Sequence, residues 1–439
     1  MLSCISTTPV VDIMHVASPC VKEAPRARGS LTRGGTTRAT WEWVARPLLR
    51  PVYCDANIHS AMRRASRRIL LAVLFCALFA IGAWLILMAS MDAGRTAVPA
   101  FVRPVVDESD IADFLGDHAC AECHPRENAE HARTFHKATL RRMTRRELGS
   151  LAPPAGPIPD SACAIVDDGG SLVYEVDVPG RPDQYRLWPL HLALDAGKHG
   201  ITPVHLTDGG NVVEMRRSWF PREGIWRPTV GKSVKDPAKA VDVHELEISR
   251  ACIGCHSVAL SKNAFAPRPE HFGVGCESCH GPGRAHIRAV RARSRDLRMA
   301  RLAKADPETI NILCGRCHGL EKDVRDSPVR RRMTYRFHSY GLMESRCCQA
   351  SGKRLGCLQC HDPHANASTD AAGYEQACLA CHATGSGGSA CPVSPRSGCV
   401  PCHMPRRDVM HATGEVYGLK LVEHKIAVYP DVTAARAGR

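Results

Sequence analysis

Aromatic side chains are scarce: Phe, Trp and Tyr make up 5% of the 439 residues, and the mean hydropathy is −0.19. A chain of this length has enough residues for a sizeable domain but little aromatic volume to pack it, so something other than side chains is expected to fill part of the interior. Long apolar runs are also rare, with Ile69–Met91 standing out. The densest basic stretch, Arg284–Arg301, has no aromatics interleaved. Cysteine and histidine, by contrast, number 22 each, far more than a plain cytosolic enzyme needs.

Most of these cysteines are arranged rather than scattered. Cys-x-x-Cys-His occurs seven times: Cys120/Cys123/His124, Cys252/Cys255/His256, Cys276/Cys279/His280, Cys314/Cys317/His318, Cys357/Cys360/His361, Cys378/Cys381/His382 and Cys399/Cys402/His403. We number these motifs 1 to 7 in chain order. Composition alone predicts on the order of 0.05 such pentapeptides, so chance is excluded. Two thiols about one helical turn apart can add to the two vinyl groups of one porphyrin, and the adjacent His then reaches the iron as proximal ligand. Zinc also takes Cys-x-x-Cys with a nearby His, but its sites close with two such halves at varied separations. Seven identical pentapeptides favour haem over zinc and over a thioredoxin-like redox pair, and they imply seven covalently attached c-type haems.

Haem of this kind is attached after export, and all seven motifs follow the run Ile69–Met91, which has the length of one bilayer-spanning helix. Arg63, Arg64, Arg67 and Arg68 precede it, which puts the N-terminus in the cytoplasm and the motifs outside. A cleaved signal would have an apolar core of about 7–15 residues and a small-x-small site. The run is longer and no clean site follows, so residues 62–92 read as an uncleaved signal anchor in the inner membrane. Residues 1–61 lack periodicity and carry Cys4, Cys20 and Cys54 in no motif. They read as an over-extended gene start before Met62, or else as a disordered cytoplasmic tail.

Residues 1–68 hold 11 Lys+Arg against 4 Asp+Glu, so half of the formal net charge of +14 precedes the apolar run. Two propionates per haem largely cancel what remains outside, and no nucleic-acid partner is expected. Some arginines of the Arg284–Arg301 stretch, read as one helix, are candidates to pair with propionates, with a solvated helix face as the alternative.

The expected fold is mainly α with little regular secondary structure, a haem-packed core, a small β-rich insertion at about 155–245 and one N-terminal transmembrane helix. A linker at 93–116 leads to a first haem module at 117–150, where AEHARTFHKATLRRMTRREL looks helical until LAPPAGPIPD breaks it. The stretch 151–250 has no motif; SLVYEVDVPG, DQYRLWPLHLAL, TPVHLTDGG and NVVEMRRSWF read as strands, with DGGN as a hairpin turn. Residues 251–430 form a six-haem domain in which motifs recur at intervals of 24, 38, 43, 21 and 21 residues.

The sixth iron position decides what each haem does: filled by His or Met it transfers electrons, open it can bind a substrate. Fifteen histidines lie outside the motifs, and two of them, His15 and His59, precede the apolar run. His364 in Cys-His-Asp-Pro-His and His286 in Cys-His-Gly-Pro-Gly-Arg-Ala-His follow their motifs too closely to swing over their own haem, so each is a candidate distal ligand to a neighbouring one. His136, His199 and His424 are further candidates, and His271, His338 and His411 weaker ones. Met404 reads as packing.

With these strings in hand, the region from about 117 to 430 resembles the multihaem cytochrome c family of the cytochrome c-554 type. The carrying residues are CAECH followed by TFHKA, GVGCESCHGPGRAH, CGRCH, YGLMESRC, GCLQCHDPHANAS, CPVSPRSGCVPCHMPRRD and the tail VEHKIAV. The resemblance implies distal roles for His286 and His364, matches His136 and His424 to equivalent positions, and implies periplasmic electron transfer with redox partners: a quinol oxidoreductase or soluble cytochrome donor, and a terminal acceptor. No Cys-x-x-Cys-Lys occurs, which removes the signature of pentahaem nitrite reductases. The alternative function is an oxidoreductase in which one five-coordinate haem acts on a small nitrogen or sulfur compound; a scaffold role is a third reading. Of the leftover cysteines, Cys163, Cys347, Cys348 and Cys391, either Cys347 or Cys348 could bridge to Cys391 in an oxidising compartment, with free thiols as the alternative.

Overall fold

The computed structural model describes residues 105–432, apart from 182, 236–238, 265, 328–329, 332, 384–390, 392–395 and 411–415, together with scattered positions between 75 and 82. Residues 1–61, most of the run Ile69–Met91, and His411 lie outside the described residues. Among the described residues no helix is long and apolar enough to cross a membrane. The described positions 75–77, 79, 81 and 82 are helical.

Strands are more numerous than the sequence reading anticipated, and this corrects the mainly α expectation. A five-stranded antiparallel sheet runs in the order Val241–Val243, Val212–Met215, Thr202–Leu206, Leu192–Leu194, Leu140–Arg142. A second sheet of four strands joins Gly156–Pro157, Cys163–Asp168, Ser171–Asp177 and Tyr185–Pro189. Alternate residues of Ser171–Asp177 point inward, so Leu172, Tyr174 and Val176 are buried while their neighbours reach outward. Asp168 pairs with Ser171 across Gly169 and Gly170, both at positive φ, the backbone that a two-residue hairpin turn demands.

The segment expected as one long helix after motif 1 is interrupted. Its helix Pro125–His131 stops where the Thr134 hydroxyl donates to the His131 carbonyl, and the chain then enters the strand Leu140–Arg142, held by Leu192–Leu194 fifty residues away. NVVEMRRSWF is also split at Arg216: Val212–Met215 joins the large sheet, and Arg217–Phe220 pairs with Ile225–Pro228. Near the C-terminus, Arg406–Met410 and Val416–Val422 form a hairpin that the sequence reading did not include.

Apolar packing concentrates in the β-rich part. Met143, Ile158, Ile165, Leu172, Tyr174, Ile201, Val213 and Met215 form one cluster, and Leu140, Leu192, Leu194, Val204, Val212, Ile253 and Leu260 a second. Met215 is fully buried, so Met215→Ala is expected to cost about 2–5 kcal/mol in denaturant unfolding followed by far-ultraviolet circular dichroism. The motif-bearing part is packed differently. Beyond residue 261 the apolar cluster among the described residues is Tyr335, Val409, Tyr417 and Leu419, none of them in a motif. Side chains give that region only this small cluster and scattered buried residues such as Ile310, Val324 and Phe337, which leaves room for prosthetic groups.

Candidate haem-binding site

Each motif rides on a short helical turn, the geometry that puts its two thiols on one side. Motif 2 ends the helix Leu246–Cys255, motif 4 the helix Pro307–His318 and motif 6 the helix Ala371–His382. Motifs 3 and 7 are single turns, Cys276–His280 and Cys399–His403, and motif 5 opens on the 3-10 turn Cys357–Gln359. Motif 1 spans the end of the helix Asp117–Ala121. Cys252 is disulfide-bonded here, and that bond would have to be reduced to the thiol before the sulfur could add to a vinyl group.

The motifs converge. The thiols of Cys120 and Cys276 lie within interaction range of each other, as do those of Cys314 and Cys357, Cys378 and Cys399, and Cys255 and Cys317. Burial pushes the Cys279 and Cys378 thiols up to about 11 each, with neighbouring thiols adding to the shift. They are therefore protonated at neutral pH.

Not every attachment cysteine joins this convergence, and the picture of motif thiols gathered around a packed interior needs correction at the second cysteine of several motifs. Cys123, Cys360 and Cys381 are exposed, and Cys402 is half-buried; all four are free thiols. Cys123, Cys381 and Cys402 belong to motifs 1, 6 and 7 and take no part in the thiol couples above, although Cys381 lies within electrostatic reach of Cys347. A thiol left open in this way stays reachable by a porphyrin vinyl group, so the exposure is compatible with attachment at these three positions.

Imidazoles converge with the paired thiols. His280 and His364 have ring centroids 6.2 Å apart and planes 3° from parallel. His318 faces His136 at 6.0 Å, and His361 faces His424 at 6.2 Å. Two imidazoles bound on opposite sides of one metal have centroids roughly 6 Å apart, given metal–nitrogen bonds of about 2 Å and about 1 Å from nitrogen to ring centre. Each of these pairs joins a motif histidine to a candidate distal ligand, so the donor set fits a haem iron with two axial histidines. Burial lowers the pKa of His318, His136, His280 and His361, and brings His424 down to about 4. The neutral ring is the ligating form.

The other candidates are placed differently. His286 lies on the helix Arg284–Arg291; its Nδ1 contacts the Leu297 carbonyl at 2.7 Å, which leaves Nε2 available, and with His124 and His364 it lies within electrostatic reach of His280. His199 lines a cavity of about 20 Å³ with Asp195, Phe220, Arg336 and Val409, and no motif histidine lines it. Burial, then the charges of Lys198, Arg222 and Arg406, bring His199 down to about 4. His338, a weaker candidate from the sequence, lies half-buried between His318 and His424, with centroids at 5.6 and 4.5 Å. His271 is fully buried with Nε2 3.3 Å from the Phe114 carbonyl. His131, which no spacing singled out, is buried beside His136. His256 and His403 contact the carbonyls of Thr139 and Ala427 through Nδ1, leaving Nε2 for a metal.

The basic stretch Arg284–Arg301 is not one helix. The basic helix ends at Arg291, and Arg284 and Arg298 pair with Asp113 and Asp296. The buried guanidinium nitrogens without a hydrogen bond belong elsewhere, among them Nε and Nη2 of both Arg141 and Arg336. An unpaired buried guanidinium is costly, and a haem propionate would relieve it. The proposed bridge to Cys391 is not formed either: Cys347 and Cys348 are both outside disulfides, and the Cys348 thiol contacts the Leu355 carbonyl.

Seven attachment pentapeptides with axial-spaced imidazole pairs define a multihaem c-type cytochrome, and comparison with known proteins agrees. Residues 226–281 match the family described as cytochrome c554 and c-prime. Over this stretch the chain is similar to the multihaem c-type cytochromes. Cytochrome c-554 of Nitrosomonas europaea is 39% identical over 62 residues, which is 13% of this chain and 26% of that protein. The match thus spans about a quarter of the relative's length. The outer cell wall cytochrome OcwA superposes with a TM-score of 0.44 at 15% identity, over 74% of this chain and 82% of that one.

Proposed function

We propose that this chain is an extracytoplasmic heptahaem c-type cytochrome that passes electrons between redox partners, held at the inner membrane by the helix at residues 62–92. The observation that carries the reading is the set of three imidazole pairs at 6.0–6.2 Å, each joining a proximal His to a second His. When bound, haem c supplies reversible one-electron iron chemistry, and two histidine ligands leave no position open for substrate. The protein's own part is to hold each imidazole neutral, aim its Nε2 and exclude water. Exposed Phe75 and Phe79, 72% and 73% accessible, suit a lipid-facing segment. Donor and acceptor are proposed as a quinol oxidoreductase or soluble cytochrome on one side and a terminal redox protein on the other.

The test is electron paramagnetic resonance of the oxidised protein during a potential titration, with intact mass. Seven haem masses and wholly low-spin ferric signals, unchanged by nitrite, hydroxylamine or CO, are expected. A high-spin component that binds any of these ligands would move the protein to the oxidoreductase reading.

A further inference from the structure

Asp117, Asn311 and Glu375 each stand three residues before the first cysteine of a motif, namely Cys120, Cys314 and Cys378. Each reaches across to the start of a different motif. Asp117 Oδ1 accepts from the Cys276 amide at 2.8 Å, and Asn311 Oδ1 from the Cys357 amide at 3.1 Å. Glu375 takes the Gly398 and Val400 amides at 3.1 and 3.4 Å, one on each carboxylate oxygen. Ordinary helix caps are local in sequence. These span 159, 46 and 23 residues.

The receiving motifs share a feature of their own, because Gly275, Gly356 and Gly398 immediately precede Cys276, Cys357 and Cys399. A Cβ on Gly275 would collide with Asp117 Oδ1, and Gly398 has φ +73°. The same three couples are those whose first thiols lie within interaction range: Cys120 with Cys276, Cys314 with Cys357, and Cys378 with Cys399. Motif 2 stands apart. Alanine precedes Cys252, and Ser249, three residues before it, serves the β-rich part by accepting from the Val212 amide at 2.8 Å.

From this we infer that Asp117, Asn311 and Glu375 are positioning residues that lock six of the seven attachment segments into pairs, 1 with 3, 4 with 5 and 6 with 7, while motif 2, whose Cys255 thiol lies near Cys317, is joined by no bond of this kind. Asp/Asn/Glu-x-x-Cys-x-x-Cys-His marks the donor of a pair, and Gly-Cys-x-x-Cys-His the receiver. Asn311 makes a two-point clamp, since its Nδ2 also donates to the Leu355 carbonyl at 3.1 Å. Asp117 is held in place by Lys137 at 2.8 Å. The inference deepens the heptahaem reading and rests on it for its redox consequence, because haems held by one pair of segments would respond together.

Hydrogen exchange on the purified holoprotein reads the pairing directly, with haem count followed by intact mass. Glu375→Ala is expected to speed exchange at the Gly398 and Val400 amides about tenfold, and Asn311→Ala to do the same at Cys357. The segment 252–256 should be unaffected in both. Glu375→Gln, which keeps an acceptor and the side-chain volume, is expected to fold and to give a smaller change at the same amides. Unchanged exchange at 398–400 in both Glu375 variants, or equal loss of protection around all seven motifs, would overturn the pairing. Fewer than seven haem masses in the unsubstituted protein would defeat the functional reading without bearing on these amides.

Discussion

Replacing His364 with alanine is expected to open the sixth position of one haem, giving a high-spin ferric signal and a ferrous CO complex that the parent protein lacks. His364 and His280 are the pair whose planes lie closest to parallel, at a separation suited to two axial ligands. His364 comes from the turn after motif 5, while His280 belongs to motif 3, so the substitution should affect the haem attached at Cys276 and Cys279 and leave the one attached at Cys357 and Cys360 low-spin. His364→Met keeps a sixth ligand, and that haem should remain low-spin but titrate at higher potential. His424→Ala is the companion experiment. The His424 ring is half-buried, has Nδ1 3.0 Å from the Val422 carbonyl, and lies 6.2 Å from His361. Combining both alanines should double the high-spin fraction, because the two rings serve different motif histidines. If neither variant changes the spin state, the axial assignments made from ring spacing are wrong.

These assignments show where the sequence is transparent and where it is not. Cysteine spacing carries the attachment chemistry in five residues, because both thiols and the proximal His must sit on one helical turn. The spacing is silent on cover, so it could not separate the exposed Cys123 and Cys381 from the buried Cys252. His364 is legible because Pro363 and the short spacing bar it from its own haem. His338 is not, since only the tertiary fold brings it between His318 and His424. The strand Leu140–Arg142 was hidden for a similar reason: its partner Leu192–Leu194 is remote, and its local composition suits a helix equally well. The hairpin Arg406–Met410 with Val416–Val422 follows motif 7 directly, where the motif pattern drew the reading toward short helices and loops. The pairing residues stand between these cases. Their position relative to cysteine repeats in the sequence, but what they bind can be seen only in three dimensions.

The second large effect is expected far from the motifs, in the β-rich part, where Glu214→Ala should destabilise that part by about 3–5 kcal/mol. Glu214 is fully buried on the strand Val212–Met215; its Oε2 lies 2.9 Å from Lys232 Nζ and 2.8 Å from His244 Nε2. Lys232 also reaches Asp242 at 3.1 Å, and Arg216 bonds Asp242 at 2.9 Å, so four charges and an imidazole share one interior site. Removing Glu214 leaves the buried Lys232 ammonium with a single carboxylate and His244 without its partner. The double change Glu214→Leu with Lys232→Met removes both charges at similar volume, and it should recover most of the loss in denaturant unfolding; failure to recover would mean that packing, not charge, dominates. The same site dictates a pH dependence. Burial alone would raise the Asp242 pKa, but hydrogen bonds and charge from Arg216 and Lys232 outweigh it and hold the carboxyl below its usual value of 3.8. A depressed folded-state pKa contributes stability that is fully present above the unfolded value and is lost as pH falls through the folded one. The stability of the β-rich part should therefore stay nearly flat from neutrality down to about pH 5 and fall steeply below about pH 4. Asp242→Asn should flatten that acid limb while lowering stability at neutral pH, and an unchanged acid limb in this variant would assign the effect to other carboxylates.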